Sequence, residues 1–245
     1  VVHRDRHGNP CVRGPEDVGA VTVLWRDATA AALDKPSGLL AHNAAFAGPS
    51  EWTLVQAATA LLGMAPALLH RLDRGTSGVV LVATDRQHTA AWQGALDQAT
   101  KQYLGLVRGV PRGILEIDHP VTDASGEKRA AQTTLEPLLT SMTHHCSLVR
   151  LTLHTGRWRQ ARQHCKHVSH PLLGDAEYGK GPLNRQFRDQ HGLDRLALHA
   201  STVRLQHPLD GGALVLHAAW PAALQAVTLR LFAQDELAAA LRHGM

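Results

Sequence analysis

The apolar positions of this chain fall into short runs separated by turn residues, and only a few stretches carry helical spacing. Val21 to Trp25 reads as a strand, Arg26 to Thr29 as a turn, and Ala30 to Leu33 as a second strand ending at Asp34-Lys35-Pro36-Ser37-Gly38, where proline is followed closely by glycine. Thr53 to Leu62 is predicted to be a helix: Leu54, Ala57, Ala58 and Leu61 share a face, and Gly63 supplies the stop. Val79 to Ala83 is an unbroken, mostly β-branched apolar run, the pattern of a buried strand. Thr89 to Ala99 is helical, Tyr103 to Val107 a strand, and Ile114 to Leu153 a series of strands broken at Pro120, Ser125-Gly126 and Pro137. Arg159 to Val168 is helical; Leu196 to Ala200, Val203 to Gln206 and Ala213 to His217 are strands, and a helical tail begins at Pro221. Short strands outnumber helices, so the expected class is α+β, with a mixed, largely antiparallel central sheet and flanking helices. Turn signals at Gly8-Asn9-Pro10 and Gly14-Pro15 make residues 1–20 an expected loose extension, and residues 21–245 are read as one domain.

Composition narrows the partners only slightly. The 245 residues carry a formal charge of +4, with arginine the main cation, a balance that suits a phosphate-bearing partner and equally suits many proteins that bind no nucleic acid. No apolar run approaches the ~20 residues of a membrane span, and the polar start, Val1-Val2-His3-Arg4, lacks the character of a secretory signal. We therefore expect a cytoplasmic protein without a membrane partner. Cys11, Cys146 and Cys165 are far apart, with no C-x-x-C, so neither a disulfide framework nor a zinc ribbon is indicated.

Several motifs are considered and set aside. Gly174 to Gly181 nearly spells a phosphate-binding loop, but Gly181 stands where a magnesium-binding hydroxyl is required. Gly75-Thr76-Ser77-Gly78 is not a nucleophile elbow. His164, Cys165, His167 and His170 cluster without a standard zinc spacing, so no metal is expected.

The most informative stretch is His70-Arg71-Leu72-Asp73-Arg74-Gly75-Thr76-Ser77-Gly78, which leads directly into the buried strand at Val79. Chemistry alone favours a plain role for Asp73, capping the turn and pairing with Arg71 or Arg74. The alternative is a carboxylate presented to a cleft from a rigid support. This segment matches the H-R-L-D-x-x-T-S-G signature of the RluA-type RNA pseudouridine synthases at every fixed position. Further along, Leu33-Asp34-Lys35-Pro36-Ser37-Gly38 resembles the first motif of that family, and Lys101-Gln102-Tyr103 its K-x-Y segment. Thr155-Gly156-Arg157-Trp158-Arg159-Gln160-Ala161-Arg162 resembles its T-G-R-x-H-Q-I/L-R, His170 to Asp175 its H-P-I-x-G-D, and Arg195 to Ala200 its R-x-x-L-H-A. Two departures stand out: Arg159 replaces the family's histidine, and Ala161 its aliphatic residue.

The resemblance implies the pseudouridine synthase fold and a cofactor-free isomerisation, in which the N1–C1′ bond of a uridine breaks and the uracil rejoins the sugar through C5. It implies Asp73 as the catalytic carboxylate, acting as nucleophile or as base. Arg162 would pair with it and favour its charged form. Tyr103 would stack on the target base and handle the C5 proton, and Leu198 would pack at the pocket. Base flipping costs a few kcal/mol, offset by contacts from the Arg71-Leu72 and Arg74 segment, Lys35, Lys101, Arg157 and Arg159. Aromatic residues make up only 4% of the chain, which argues for recognition through RNA shape and backbone rather than broad stacking platforms.

Because the first family motif begins by Leu33, no S4-type RNA-binding domain is expected ahead of it. The stretch Asn184 to Arg195 resembles the insertion of the TruC-like branch, which modifies tRNA. We expect a monomer acting on tRNA, with ribosomal RNA as the alternative substrate. A catalytically idle RNA-binding protein on the same fold is a different class of reading, against which Asp73, Tyr103 and Arg162 together argue. A glycoside hydrolase is another, but it normally needs two carboxylates flanking the bond, and no second one has a comparable claim.

Overall fold

A computed structural model of the chain describes residues 21–42 and 52–243. The expected extension at 1–20, with Cys11, lies outside the described residues. Along the chain come β1 (Thr22–Arg26), β2 (Ala30–Lys35), α1 (Leu54–Leu62), β3 (Ala67–Leu68), β4 (Ser77–Ala83), α2 (Thr89–Asp97) and β5 (Thr100–Arg108). There follow β6 (Leu115–Asp118), β7 (Val121–Thr122), β8 (Lys128–Arg129), β9 (Gln132–Ser141), β10 (Cys146–Leu153), α3 (Gln160–His167) and α4 (Gly181–His191). The chain closes with β11 (Leu198–Gln206), β12 (Ala213–His217), α5 (Ala222–Thr228) and α6 (Gln234–His243). The class is α+β with largely antiparallel strands, as the pattern predicts. The described residues divide into two compact units, those within 1–99 together with 202–219, and those within 100–201 together with 220–245.

In the first unit β2 pairs antiparallel with both β1 and β4, and β12 pairs with Thr202–Gln206 of β11. Every position of β4 is buried, which explains its unbroken apolar run. Trp92 of α2 is fully buried among Ala30, Ala32, Val79, Leu81, Val203 and Leu216, and its indole N–H donates to Thr29 Oγ1 at 3.0 Å. Asp27 organises the β1–β2 turn by accepting from the backbone N–H of Thr29 and Ala30, each at 2.7 Å, and from His207 at 2.8 Å. Burial alone would raise the Asp27 carboxyl; these donors outweigh it and hold the group below the usual carboxylate range. Helix α1 starts on a Thr53–Gln56 capping box and ends at Gly63 in the left-handed region, φ 74°, as its sequence foretells.

In the second unit the strand order is β5-β10-β9-β6, all antiparallel. Its period-2 alternation buries two faces. Leu104, Leu106 and Leu148 pack with Phe187, Leu193, Trp220 and Leu224, while Val107, Val149 and Leu151 pack with Ala161, Cys165, Leu172 and Leu198. The H-P-L-L segment lies against β5: Arg108 N–H donates to Pro171 O at 2.9 Å and Leu173 N–H to Leu106 O at 2.8 Å. A side chain at Gly105 would stand 2.8 Å from Leu172 Cδ2 and 3.2 Å from Ala197 O, so the close approach here favours glycine. Two expectations need correcting. The predicted strands at 196–200 and 203–206 are one strand, β11, because pairing continues through the residues between them. Helix α4 was not foreseen: it is largely polar, with only Phe187 buried, although Pro182 near its start and the left-handed Gly192 after its end are its signals.

Removal of the Trp92 indole by Trp92→Ala is expected to destabilise the protein by about 3–5 kcal/mol, measured by denaturant unfolding.

Candidate active site

On the first unit, Asp73 opens a tight turn in which Thr76 N–H donates to Asp73 O at 3.1 Å. The residues on either side of the turn have distinct supporting partners. The Leu81 N–H donates to His70 Nε2 at 3.0 Å, tying the start of the motif to β4. The carbonyls that follow Asp73 are fastened to the Asp34–Gly38 loop. Gly38 N–H and Lys35 Nζ both donate to Arg74 O, at 2.8 and 3.3 Å, and Ser37 Oγ donates to Gly75 O at 2.8 Å. Lys35 is fully buried, and its ammonium also donates to Pro36 O and Leu39 O at 2.9 and 2.8 Å. This corrects the expectation that Lys35 faces RNA: a buried ammonium is tolerable only where carbonyls receive it, and its work is to hold the turn. Leu72 is buried and anchors the motif, whereas Arg71 is exposed, with Nη1 3.2 Å from His42 Nε2. Arg74 is half-buried.

On the second unit, Tyr103 is half-buried on β5 and packs against the cluster containing Leu198, Leu172 and Leu151. Lys101 is two residues earlier on the same strand and half-buried. Arg162 is buried on α3 and grips Asp175 bidentately, Nε to Oδ2 at 2.8 Å and Nη2 to Oδ1 at 2.9 Å. Asp175 Oδ1 also accepts from the N–H groups of Glu177 and Tyr178, at 3.0 and 2.9 Å. Burial would raise the Asp175 carboxyl, but Arg162 and these two donors hold it below the usual range, so the pair stays charged. The geometry of the 174–181 loop is set by contact rather than by a phosphate: a side chain at Gly174 would stand 2.0 Å from Arg195 O, and Asn184 binds Gly174 N–H and Asp175 O at 3.0 and 2.7 Å.

The T-G-R-W-R-Q segment is braced by Gln160, which is almost fully buried. Its Oε1 accepts from Thr155 Oγ1 and Arg157 N–H at 2.7 and 3.0 Å, and its Nε2 donates to Gln132 O and Thr133 Oγ1 at 2.8 and 2.9 Å. Thr133 Oγ1 lies 2.9 Å from His164 Nδ1, and His164 Nε2 lies 2.8 Å from His119 O. A neutral imidazole satisfies both contacts, with its proton on Nε2. Arg157 is exposed, its Nε donating to Ala130 O at 3.2 Å. Arg159 precedes α3 in the left-handed region, φ 52°, pairs with Glu177, and lays its guanidinium 4.1 Å from the centre of the Trp158 ring. Glu177 Oε2 also lies 3.6 Å from Arg162 Nη2. Asp175, Glu177 and Gln160 were not foreseen as site residues. The H-P-L-L-G-D motif contained the signal for Asp175, since a carboxylate fixed beside a close-approach glycine is suited to orienting an arginine.

Among the described residues, no group of three or more histidine, cysteine or acidic side chains could hold a metal ion. Cys146 and Cys165 are buried free thiols, and burial pushes the Cys146 thiol up to about 12. No described helix is long and apolar enough to cross a membrane.

Residues 30–167 match the family model described as RNA pseudouridylate synthase. The chain is 34% identical over 209 residues to tRNA pseudouridine synthase C of Pasteurella multocida, covering 76% of this chain and 86% of that protein. It is 32% identical over 207 residues to the protein of the same name in Haemophilus ducreyi, covering 76% and 85%. Among solved structures, human RNA Pseudouridylate Synthase Domain Containing 1 shares the fold, with a TM-score of 0.69 over 91% of this chain and 94% of that one at 23% identity. The chain belongs to the RNA pseudouridylate synthase family, and is an RNA pseudouridine synthase, an isomerase.

Asp175→Asn keeps the shape of the carboxylate but removes the bidentate counter-charge of buried Arg162, leaving Glu177 at 3.6 Å. It is expected to cost about 3–5 kcal/mol of stability, read from denaturant unfolding. Burial, with the nearby cationic forms of His119 and His167, lowers the His164 pKa. Unfolded chains therefore take up a proton below about pH 6.5 that folded His164 refuses, so stability falls as pH drops from that value towards the folded pKa. Melting temperatures followed from neutral to mildly acidic pH should decline in the wild type and decline less in His164→Gln.

Proposed function

We propose that Asp73 is the catalytic carboxylate and that the substrate is a tRNA. The observation that carries the first assignment is the fastening of the Asp73 turn, whose next two carbonyls are held by Lys35, Ser37 and Gly38. A catalytic carboxylate must meet C1′ or the base within a few tenths of an ångström, and a turn fixed at both ends to buried strands supplies that positioning. In this reading Asp73 attacks the sugar or base, or removes a sugar proton, while the N1–C1′ bond breaks. The uracil turns, C5 bonds to C1′, and the C5 proton leaves with help from Tyr103. Arg162, oriented by Asp175, carries the cationic role that the family resemblance implies. Exposed Arg71 and Arg157 offer phosphate contacts, while Lys101, Arg74 and Arg159 flank the motifs and Leu198 lines the Tyr103 cluster. Residues 21–245 form the catalytic body, which works without a cofactor, as a monomer, in the cytoplasm.

The names of the relatives and the polar α4, in the stretch resembling the TruC-type insertion, support tRNA over ribosomal RNA. Purified protein is to be incubated with unmodified tRNA and ribosomal RNA and the pseudouridines mapped. The wild type is expected to modify tRNA, and Asp73→Ala to lose at least about 100-fold in rate. Modification confined to ribosomal RNA would overturn the substrate, an active Asp73→Ala would overturn the catalytic assignment, and folded protein inert on every RNA would favour an idle RNA-binding role.

A further inference from the structure

An open groove of about 490 Å³ lies within the second unit and is not used by the assignments above. Its volume falls in the range of roughly 300–1,000 Å³ typical of small-ligand sites. The β7–β8 hairpin contributes Thr122 and Lys128, α3 contributes Gln163, Lys166 and His167, and Trp158 and Tyr178 supply two aromatic rings. No carboxylate lines it. Two acids beside it are already matched: Asp123 pairs with Arg129 at 2.9 Å, and Glu177 with Arg159.

The groove is held in shape. Gln163 clasps the hairpin through both amide atoms, accepting from Thr122 N–H at 3.0 Å and donating to Thr122 O at 2.9 Å, as a neighbouring strand would. Asp123 closes the hairpin turn by accepting from Ser125 N–H and Glu127 N–H at 2.9 and 3.0 Å. Each ring is flanked by cations: Arg159 is 4.1 Å from the centre of Trp158, while Arg162 and Lys166 are 5.0 and 5.6 Å from that of Tyr178. Burial raises the Tyr178 phenol, which leaves it a protonated donor at neutral pH.

We propose that this groove binds one unpaired nucleotide of the substrate RNA, other than the uridine being isomerised. Its base stacks against Trp158 or Tyr178 and its phosphate meets Lys128 and Lys166. Two exposed ammonium groups with two aromatic rings and an amide are the elements of single-strand recognition. A lone phosphate would have no use for the rings, and a duplex would present no free base face to them. The inference rests on the RNA pseudouridine synthase assignment. It adds sequence-tolerant reading of a flanking nucleotide, and Tyr178 joins it physically to Arg162, whose guanidinium touches the same ring.

The test compares wild type, Trp158→Ala, Trp158→Phe and the double variant Lys128→Ala/Lys166→Ala. Binding is measured by fluorescence anisotropy with a labelled unstructured RNA 12-mer and with its duplex, over a range of salt. Michaelis constants are measured on the RNA that the wild type modifies. Trp158→Ala is expected to weaken single-strand binding and raise KM about ten-fold, with kcat changed far less. Trp158→Phe should recover most of that loss. The double lysine variant should lower the salt slope by about 0.7 per lysine removed. Unaltered single-strand affinity and KM in variants that melt like the wild type would overturn the proposal, as would equal losses on duplex and single strand. A wild type that binds the 12-mer through Trp158 yet forms no pseudouridine would keep the groove and sink the catalytic reading, whereas an active wild type matched by all variants would discard the groove alone.

Discussion

A cation withdrawn from water must find acceptors already fixed in place, and both units are organised by that constraint. In the first, the Lys35 ammonium is sealed inside and its hydrogen bonds go to the carbonyls of Pro36, Leu39 and Arg74. Two of these acceptors belong to its own loop and one to the turn carrying Asp73. Satisfying the charge therefore sets the position of Asp73's neighbour. In the second, Arg162 is buried against Asp175, whose Oδ1 also accepts from two backbone N–H groups. A bidentate guanidinium–carboxylate pair fixes direction as well as charge, which a lysine in place of Arg162 would not.

The supports of the two units differ in kind. The Asp73 turn is held through its own backbone carbonyls, which accept from Lys35 Nζ, Ser37 Oγ and the Gly38 N–H. The Arg162 segment is held by side chains: Gln160, Thr155, Thr133 and His164 form a continuous chain of polar contacts, almost all buried. Such networks are stable when every member is satisfied and costly when one is not. His164 contributes to this one only as a neutral ring, which makes the brace sensitive to mild acid.

Arg159, at the position where the family carries histidine, shows how a substitution can be absorbed. The residue sits in the left-handed region before α3, a conformation that costs a non-glycine residue about 1–2 kcal/mol. Its guanidinium joins Glu177 and covers Trp158, so the longer side chain has two partners here. These contacts link Trp158 with the Glu177–Tyr178 segment in one polar and aromatic surface. Although aromatic residues are scarce in this chain, two of them converge here.

The sequence by itself determined the strands, because burial on one or both faces imposes a period that survives in the residue pattern. It determined the helix boundaries at Thr53 and Gly63, where capping chemistry is local. It also determined the family, through motifs spaced along most of the chain. Helix α4 escaped because a mostly exposed helix has little apolar periodicity, and β11 was read as two strands because its pairing partners are distant in sequence. The function of Lys35 as a buried support, the gripping of Arg162 by Asp175 and the convergence of Trp158 with Tyr178 were decided by tertiary structure alone. Each depends on atoms brought together by the fold from segments up to 39 residues apart, and no local pattern records which acceptor a charged side chain will meet.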